Sequence, residues 1–283
     1  NFELEESVLR KNVAVILAGG IGTRTGLDTP KQFLKVAGKT IVEHTIEAFE
    51  RNSHVDEIAI VVHPAYVTTI ENMVLRNKWG KTNRILKGGS ERYQSSLAAI
   101  RAYSDDSSVN LIFHDAVRPL VSQRIINDVA IGLEEYEAVD TAIPAVDTII
   151  TVTDDRSHID DIPDRAYVRR GQTPQAFRID TIRCAYEKAM IDPDFRATDD
   201  CGIVIKYLPR TPILVVDGDE TNMKLTSIED LYILDKLFQL RSEKVGCDTS
   251  LDGLHGTTLV VFGGNAGIGK SIVDVATKHG AAA

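Results

Sequence analysis

Apolar runs of strand length alternate with stretches of helical periodicity along most of the chain. Residues 13–17, VAVIL, are continuously apolar and end at glycines, the pattern of a strand buried on both faces. Residues 40–51 carry helical spacing at Ile41, His44, Thr45 and Ala48. Residues 57–62 read as a second buried strand, 66–76 as a helix and 84–86 as a short strand. Residues 90–103 predict a helix capped by Ser90, with Leu97 and Ile100 inward. A third apolar strand, 110–114, runs into the polar segment HDAVRP, and 122–136 is helical. Residues 141–153 alternate and are rich in Val, Ile and Thr, which predicts antiparallel β-structure. A helix at 178–189, a strand at 213–216 and a helix at 227–239 complete the pattern.

Strands alternating with helices predict an α/β domain with a mostly parallel sheet between helical layers, a three-layer Rossmann-like arrangement. Ligands of such sheets sit at the carboxyl ends of the strands. The polar stretches AGGIGTR, KGGSER and HDAVRP all fall there. The expected organisation is a tail at 1–12, this domain at 13–240, and a polar, glycine-containing linker at 241–256. Residues 257–283 then open with a new buried strand, 258–262, followed by GGNAGIGK and a helix at 271–279. One strand and one helix cannot bury a core, so this piece reads as the start of a second Rossmann domain cut short.

Composition narrows the function. The chain has 283 residues, 43% hydrophobic and 26% charged, with a net charge of −9. That balance argues against a broad nucleic-acid-binding face, which makes a domain basic, but leaves room for a small anionic substrate held by local cations. No apolar run approaches the ~20 residues of a membrane helix. The acidic start, NFELEESVLRKN, lacks the apolar core of a signal peptide and an initiator Met, so the chain is expected to begin inside a longer one. Cys184, Cys201 and Cys247 show no paired spacing, which points to reduced thiols and a cytoplasmic protein.

The glycine loop AGGIGTRTGLDTPK is not a Walker loop, because Gly22 is followed by Thr-Arg and the lysine comes after Pro30. Nor does it lead straight into a helix as a dinucleotide fingerprint does, since Thr29-Pro30 interrupts it. It reads as a wrapped loop whose glycine amides approach phosphate oxygens and whose Arg24 and Lys31 add full positive charge. The bland alternative is a glycine-rich surface turn with two solvated cations.

LAGGIGTR followed by TPKQFL resembles the start of the cytidylyltransferase family that makes methylerythritol cytidyl diphosphate and CDP-ribitol. GGSERYQSS, HDAVRP, AVDTI, DIPDRAYVRRGQTPQAF, ATDD and NMKLT continue the likeness in order, over residues 13–240. The resemblance implies a nucleotidyltransferase fold with a protruding β-arm, here about 145–166, that crosses to a partner subunit in a homodimer. It implies a reaction in which an acceptor phosphate attacks the α-phosphorus of CTP and pyrophosphate leaves. The attacking phosphate is already ionised, so catalysis is positioning and charge neutralisation, which suits a site rich in Arg and Lys.

Carried over from the family, Arg24, Lys31 and Lys224 are the catalytic cations. Leu17, Ala18, Gly19, Gly20, Gly22 and Thr23 would line the CTP site with Gly88, Gly89, Ser95, Asp115 and Arg118. Asp115 would also hold Mg²⁺ or another divalent cation, which accepts one or two carboxylates plus phosphate oxygens. Thr148, Arg165, Thr198 and Asp199 match acceptor-side positions. Without the resemblance, Lys224 is a surface lysine, Asp115 a strand-end residue pairing with Arg118, Thr148 part of a strand face and Arg165 a solvated turn residue. His114 reads as packing, because proton transfer is not the difficulty. Asp217 and Asp219 are near Lys224 in sequence and leave the second metal ligand open.

Two acceptors compete. Val168-Arg169-Arg170-Gly171-Gln172 before Thr173-Pro174-Gln175 is closer to the ribitol 5-phosphate enzymes than to those for methylerythritol phosphate, which carry a Leu-Trp element there. FGGNAGIGKS resembles the opening of a short-chain dehydrogenase, with Gly263, Gly267 and Gly269 in that family's spacing and Phe262 in place of its usual Thr. Such a fusion resembles bifunctional enzymes that reduce ribulose 5-phosphate with NADPH and then make CDP-ribitol, a nucleotide that feeds ribitol-phosphate polymers of capsule or teichoic acid. NADPH belongs only to a complete reductase domain, and this chain as given is expected to have no reductase activity. The rival readings are methylerythritol 4-phosphate cytidylyl transfer, an oxidoreductase with a regulatory nucleotide-binding N-terminal domain, and a noncatalytic binding module.

Overall fold

The computed structural model describes residues 10–20, 29–197, 199–245 and 254–282. The chain divides into two compact units, Asn1–Leu234 and Asp235–Ala283. In the first, β1 (Lys11–Ala18) is followed by a hairpin of β2 (Lys35–Val36) and β3 (Lys39–Thr40), then α1 (Ile41–Glu50), β4 (Glu57–Val62), α2 (Val67–Asn77) and β5 (Thr82–Lys87). Next come α3 (Arg92–Tyr103), β6 (Val109–Asp115), α4 (Gln123–Glu135) and β7 (Ala138–Pro144). A small hairpin of β8 (Thr151–Val152) and β9 (Ile159–Asp161) precedes β10 (Arg169–Gly171), β11 (Gln175–Arg178), α5 (Ile179–Met190), α6 (Asp200–Tyr207) and β12 (Ile213–Asp217). α7 (Glu229–Val245) starts in this unit.

Among the described residues eight strands form one sheet in the order β10-β7-β11-β6-β1-β4-β5, with β12 also paired to β7. β6, β1, β4 and β5 are parallel, as are β7 and β12, while β11 runs antiparallel to both β6 and β7. The strand period of two divides the apolar runs between two cores. Ala14, Ile16, Ile58, Ile60 and Val62 pack with Ile46 and Phe49 of α1 and Ile125 and Val129 of α4. Val13, Val15, Ala59, Val61, Leu111 and Phe113 pack with Ile100 of α3, Ile182 and Tyr186 of α5 and Val204 of α6. Full burial of one such side chain is worth roughly 1.5–3 kcal/mol, against about 0–1 for a surface ion pair, so these two cores carry the domain. Among the described residues no helix is long and apolar enough to cross a membrane.

Several expectations change. The β-structure expected over 141–153 is split: β7 ends at Pro144, which lacks the N–H to continue a ladder, and pairing resumes only at β8. β7 is also not purely antiparallel, since it runs parallel to β12. The cap of α3 is Glu91 rather than Ser90, and the Gln94 side chain accepts from the Glu91 amide. α7 continues to Val245, so 241–245 are helical instead of linker. In the second unit, 258–262 is not a buried strand. Thr258 makes one isolated parallel bridge, to Ala282, and Val260 and Phe262 are 76% and 96% exposed. A strand needs a neighbour to satisfy its backbone, and the described residues of this unit offer only that bridge. Its helix, α8 (Gly267–Lys278), starts earlier than expected. Gly269 is required there, because a Cβ would lie 2.3 Å from the Gly263 carbonyl oxygen.

Buried Glu43 fastens the start of α1. Its carboxylate accepts from the Thr40 amide and hydroxyl at 2.8 Å, from Arg76 Nη2 at 2.5 Å and from Asn77 at 3.1 Å. Burial pushes this carboxyl up, but the four hydrogen bonds outweigh it and hold the pKa at about 2 instead of 4.5. The resulting stabilisation is fully present above pH 4.5 and is lost as pH falls through about 2. Glu43→Gln should therefore lower stability at pH 7 by roughly 1.5–3 kcal/mol and remove part of the acid-side decline. Urea unfolding of both proteins at pH 7, 5 and 3.5 checks this; parallel curves with a constant gap would show that Glu43 is not the titrating group.

Candidate active site

The carboxyl ends of β1, β5 and β6 converge on a cleft of about 220 Å³. β1 delivers Leu17, Ala18, Gly19 and Gly20; the loop after β5 delivers Gly89; β6 delivers Asp115. The start of α3 and the residues before it add Ser90, Glu91, Arg92 and Ser95, and Gln32, Ala116, Val117 and Lys224 complete the lining. The glycines have a steric reason. A Cβ on Gly19 or on Gly88 would lie 2.7 Å from Ser95 Oγ, so both residues must be Gly for buried Ser95 to sit between the two loops. Gln32 clamps the first loop from below, its amide donating to the carbonyls of Ala18 at 3.0 Å and Gly20 at 2.8 Å.

Asp115 is the electrostatic centre. Its Oδ2 pairs with Lys224 Nζ at 3.0 Å and Arg118 Nε at 3.3 Å, and its Oδ1 lies 3.7 Å from Arg92 Nε. Burial alone would raise this carboxyl, but Lys224, Arg92 and Arg118 hold it well below the usual carboxylate range. The backbone is fixed as tightly. Asp115 N–H donates to Thr173 Oγ1 at 3.1 Å, and Thr173 Oγ1 lies 3.0 Å from His114 Nδ1. His114 Nε2 lies 3.1 Å from the Arg118 carbonyl, an acceptor, so Nε2 carries the proton and Nδ1 accepts from Thr173. Full burial pulls His114 down to about 4 and keeps it neutral. Its place is thus behind Asp115, as packing and support.

The Lys224 loop is sewn to the same point. Arg118 Nη1 donates to the Asn222 carbonyl at 2.8 Å, Leu225 N–H to the Val117 carbonyl at 2.9 Å, and the Asn222 amide to the Thr173 carbonyl at 2.9 Å. Lys31, on a single 3-10 turn after Pro30, does not line the cleft; its ammonium donates to the Thr226 carbonyl, two residues beyond Lys224. Arg118 is likewise behind the cleft wall. Gly22, Thr23 and Arg24 lie outside the described residues, as does Thr198.

The acceptor-side candidates are not all gathered here. Thr148 is exposed beyond the end of β7, and exposed Arg165 donates to the Val146 carbonyl at 3.1 Å; neither lines the cleft. Asp199 caps α6, accepting from Gly202 N–H at 2.9 Å, and its other oxygen accepts from Gln175 at 2.9 Å. Gln175 also reaches Asp140 at 3.1 Å, which burial, helped by Asp199, pushes up to about 6. Of the two arginines that separate the acceptor readings, Arg169 pairs with Asp217 at 3.6 Å and Arg170 forks onto Glu220 at 2.8 Å. Asp217 and Asp219 do not line the cleft, and no cluster of three metal-ligating side chains occurs among the described residues.

Sequence reasoning missed Arg92, Asp200, Gln32 and Thr173. Arg92 stood inside GGSERYQSS and Thr173 inside RRGQTPQ, but nothing local marked either as a support for Asp115. Asp200 is wholly buried and pairs with Arg92, 108 positions away in sequence.

The family model for 2-C-methyl-D-erythritol 4-phosphate cytidylyltransferase (IspD) matches residues 12–239. The bifunctional ribulose 5-phosphate reductase/CDP-ribitol pyrophosphorylase Bcs1 of Haemophilus influenzae is 47% identical over 275 residues, covering 95% of this chain and 58% of that protein's length. The 2-C-methyl-D-erythritol 4-phosphate cytidylyltransferase of Thermobifida fusca is 44% identical over 230 residues, covering 80% of this chain and 92% of its own. The crystal structure of 4-diphosphocytidyl-2C-methyl-D-erythritol synthase from Anaerococcus prevotii matches with a TM-score of 0.72 at 28% identity, over 82% of this chain and 98% of that one. A mostly parallel sheet with a glycine-lined cleft carrying Arg92, Asp115 and Lys224 at its carboxyl edge, matched over this length, makes the chain a member of the IspD family of cytidylyltransferases, and hence a nucleotidyltransferase.

Proposed function

We propose that this chain transfers CMP from CTP to D-ribitol 5-phosphate, giving CDP-ribitol and pyrophosphate. The observation that carries the acceptor is the extent of the likeness. The family model stops at residue 239, whereas the match to the bifunctional CDP-ribitol protein takes in 95% of the chain and so extends well past that residue. Arg169 and Arg170 add less, because each already has an acidic partner. The second reading, methylerythritol 4-phosphate as acceptor, is favoured by the 44% identity to the Thermobifida fusca enzyme.

In this reading the loop of Gly19 and Gly20 receives the triphosphate, and Arg24, Lys31 and Lys224 neutralise charge at the α-phosphorus. Gly88, Gly89 and Ser95 face the cytidine. Asp115 fits a divalent cation of the Mg²⁺ type: it is held ionised, and among the described residues its Oδ1 accepts no hydrogen bond, with Arg92 Nε 3.7 Å away. One carboxylate with substrate oxygens is a usual Mg²⁺ arrangement, and the ion would supply neutralisation of the triphosphate. Asp199 and Thr198 would face the polyol. Thr148 and Arg165 would come from a second copy of the chain, through an arm whose Val146, Ile150, Ile159, Ile162 and Tyr167 are 48–87% exposed. NADPH is assigned only to a complete reductase domain, with Gly263, Gly267 and Gly269 at its pyrophosphate turn.

Three outcomes are expected. Pyrophosphate release with CTP and Mg²⁺ should require ribitol 5-phosphate; release with methylerythritol 4-phosphate alone would transfer the assignment to the second reading. Lys31→Ala should lower kcat by about 10²–10³ at unchanged unfolding midpoint, and a full rate would remove Lys31 from the catalytic set. Replacing Ile150 and Tyr167 together by Asp should give monomers by sedimentation and lose turnover, with Arg165 itself intact. Monomeric wild-type protein with full turnover would overturn the shared site.

A further inference from the structure

The guanidinium of Arg92 is divided between two carboxylates. In the cleft its Nε lies 3.7 Å from Asp115 Oδ1, beyond hydrogen-bond reach. Behind the cleft its Nη1 donates to Asp200 Oδ2 at 2.5 Å. Asp200 is wholly buried, and it is locked from two further sides. Tyr186 Oη donates to its Oδ1 at 2.6 Å, and its backbone N–H donates to Gln175 Oε1 at 3.2 Å. Asp115 Oδ2, by contrast, already takes Lys224 and Arg118.

From this we infer that Asp200 is a positioning residue whose task is to hold Arg92 off Asp115 Oδ1. The inference rests on the cation reading of Asp115 given above. A guanidinium free to settle would form a close, charge-assisted bond with that oxygen. Asp115 would then have both oxygens committed to cationic side chains, and a divalent ion would have to displace one of them. Asp200 prevents this by offering Arg92 a buried, fully oriented anion on the other side. The arrangement keeps a positive charge in the cleft wall and leaves one carboxylate oxygen open to a metal. Outer partners of this kind typically change metal affinity 10–100-fold.

The test reads binding, with no acceptor present and no turnover. Calorimetric titration gives the CTP affinity with and without Mn²⁺, and their ratio is the gain conferred by the ion. Wild-type protein should show a clear gain and Asp115→Asn little. Asp200→Asn should reduce the gain by about 10-fold, because Arg92 loses its anchor. Tyr186→Phe removes a hydrogen bond from the same carboxylate but leaves the Arg92 contact, and should keep the wild-type gain. The double variant Arg92→Gln with Asp200→Asn removes the competitor as well and should restore at least the wild-type gain. It also avoids an unpaired buried charge, so it reports even if Asp200→Asn alone does not fold. An unchanged gain in Asp200→Asn, an equal loss in Tyr186→Phe, or a double variant weaker than wild type would each overturn the positioning role. If instead Asp115→Asn keeps the full gain, the cation assignment fails and this inference falls with it.

Discussion

The rest of the site depends on one buried carboxylate kept ionised at the end of a central strand. Desolvation disfavours a charged Asp115, and the fold answers with Lys224, Arg92 and Arg118 on its oxygens and Thr173 on its backbone amide. Those four partners come from four separate parts of the chain. Each must arrive for the charge to be tolerated, so the electrostatic demand of Asp115 fixes the relative placement of α3, the loop after β6, the Thr173 segment and the Lys224 loop. Arg92 is in turn shared with Asp200, so the charges around Asp115 form one connected network of two carboxylates and three cationic side chains.

The layered sheet was legible because its signal is short and local. VAVIL and IAIVV are apolar at every position, as a strand covered on both faces must be, and they fall within β1 and β4. α6 was not legible. DCGIVIKY contains a glycine and three β-branched residues, which locally favour extended structure. It is helical because Asp199 caps it and because Ile203 and Val204 complete the core below α5. The 258–262 run shows the converse error. A sequence can ask for a strand, but the described residues of the second unit provide only Ala282 to pair with it.

For the site, glycine spacing and the resemblance identified several residues that face the cleft, but missed Arg92 and Gln32 of its lining and Thr173 and Asp200 behind it. Gly19, Ser95, Asp115 and Lys224 belong to recognisable motifs and line one cavity. Gln32, Thr173 and Asp200 act through contacts between distant segments, and no periodicity announces such a contact. The reading of His114 as packing agrees with its buried surroundings. A histidine beside a reactive aspartate invites a proton-transfer role, yet its two ring nitrogens are both spent on Thr173 and the Arg118 carbonyl.

In the proposed reaction, the start of α6 would join the acceptor and nucleotide sides. Asp199 and Asp200 are adjacent, yet one turns toward Gln175 and Asp140 while the other turns toward Arg92. A carboxylate has about four lone-pair sites, and Asp199 spends one on the helix cap and one on Gln175. Two would remain for hydroxyls of the proposed acceptor. Removing Asp199 would therefore withdraw a helix cap together with any such contact, and an unfolding measurement would be needed to separate them. The same coupling works in the protein's favour. With one residue fixing the helix and the next anchoring Arg92, the proposed acceptor and nucleotide sides would share a single rigid reference, which is what a reaction that relies on positioning requires.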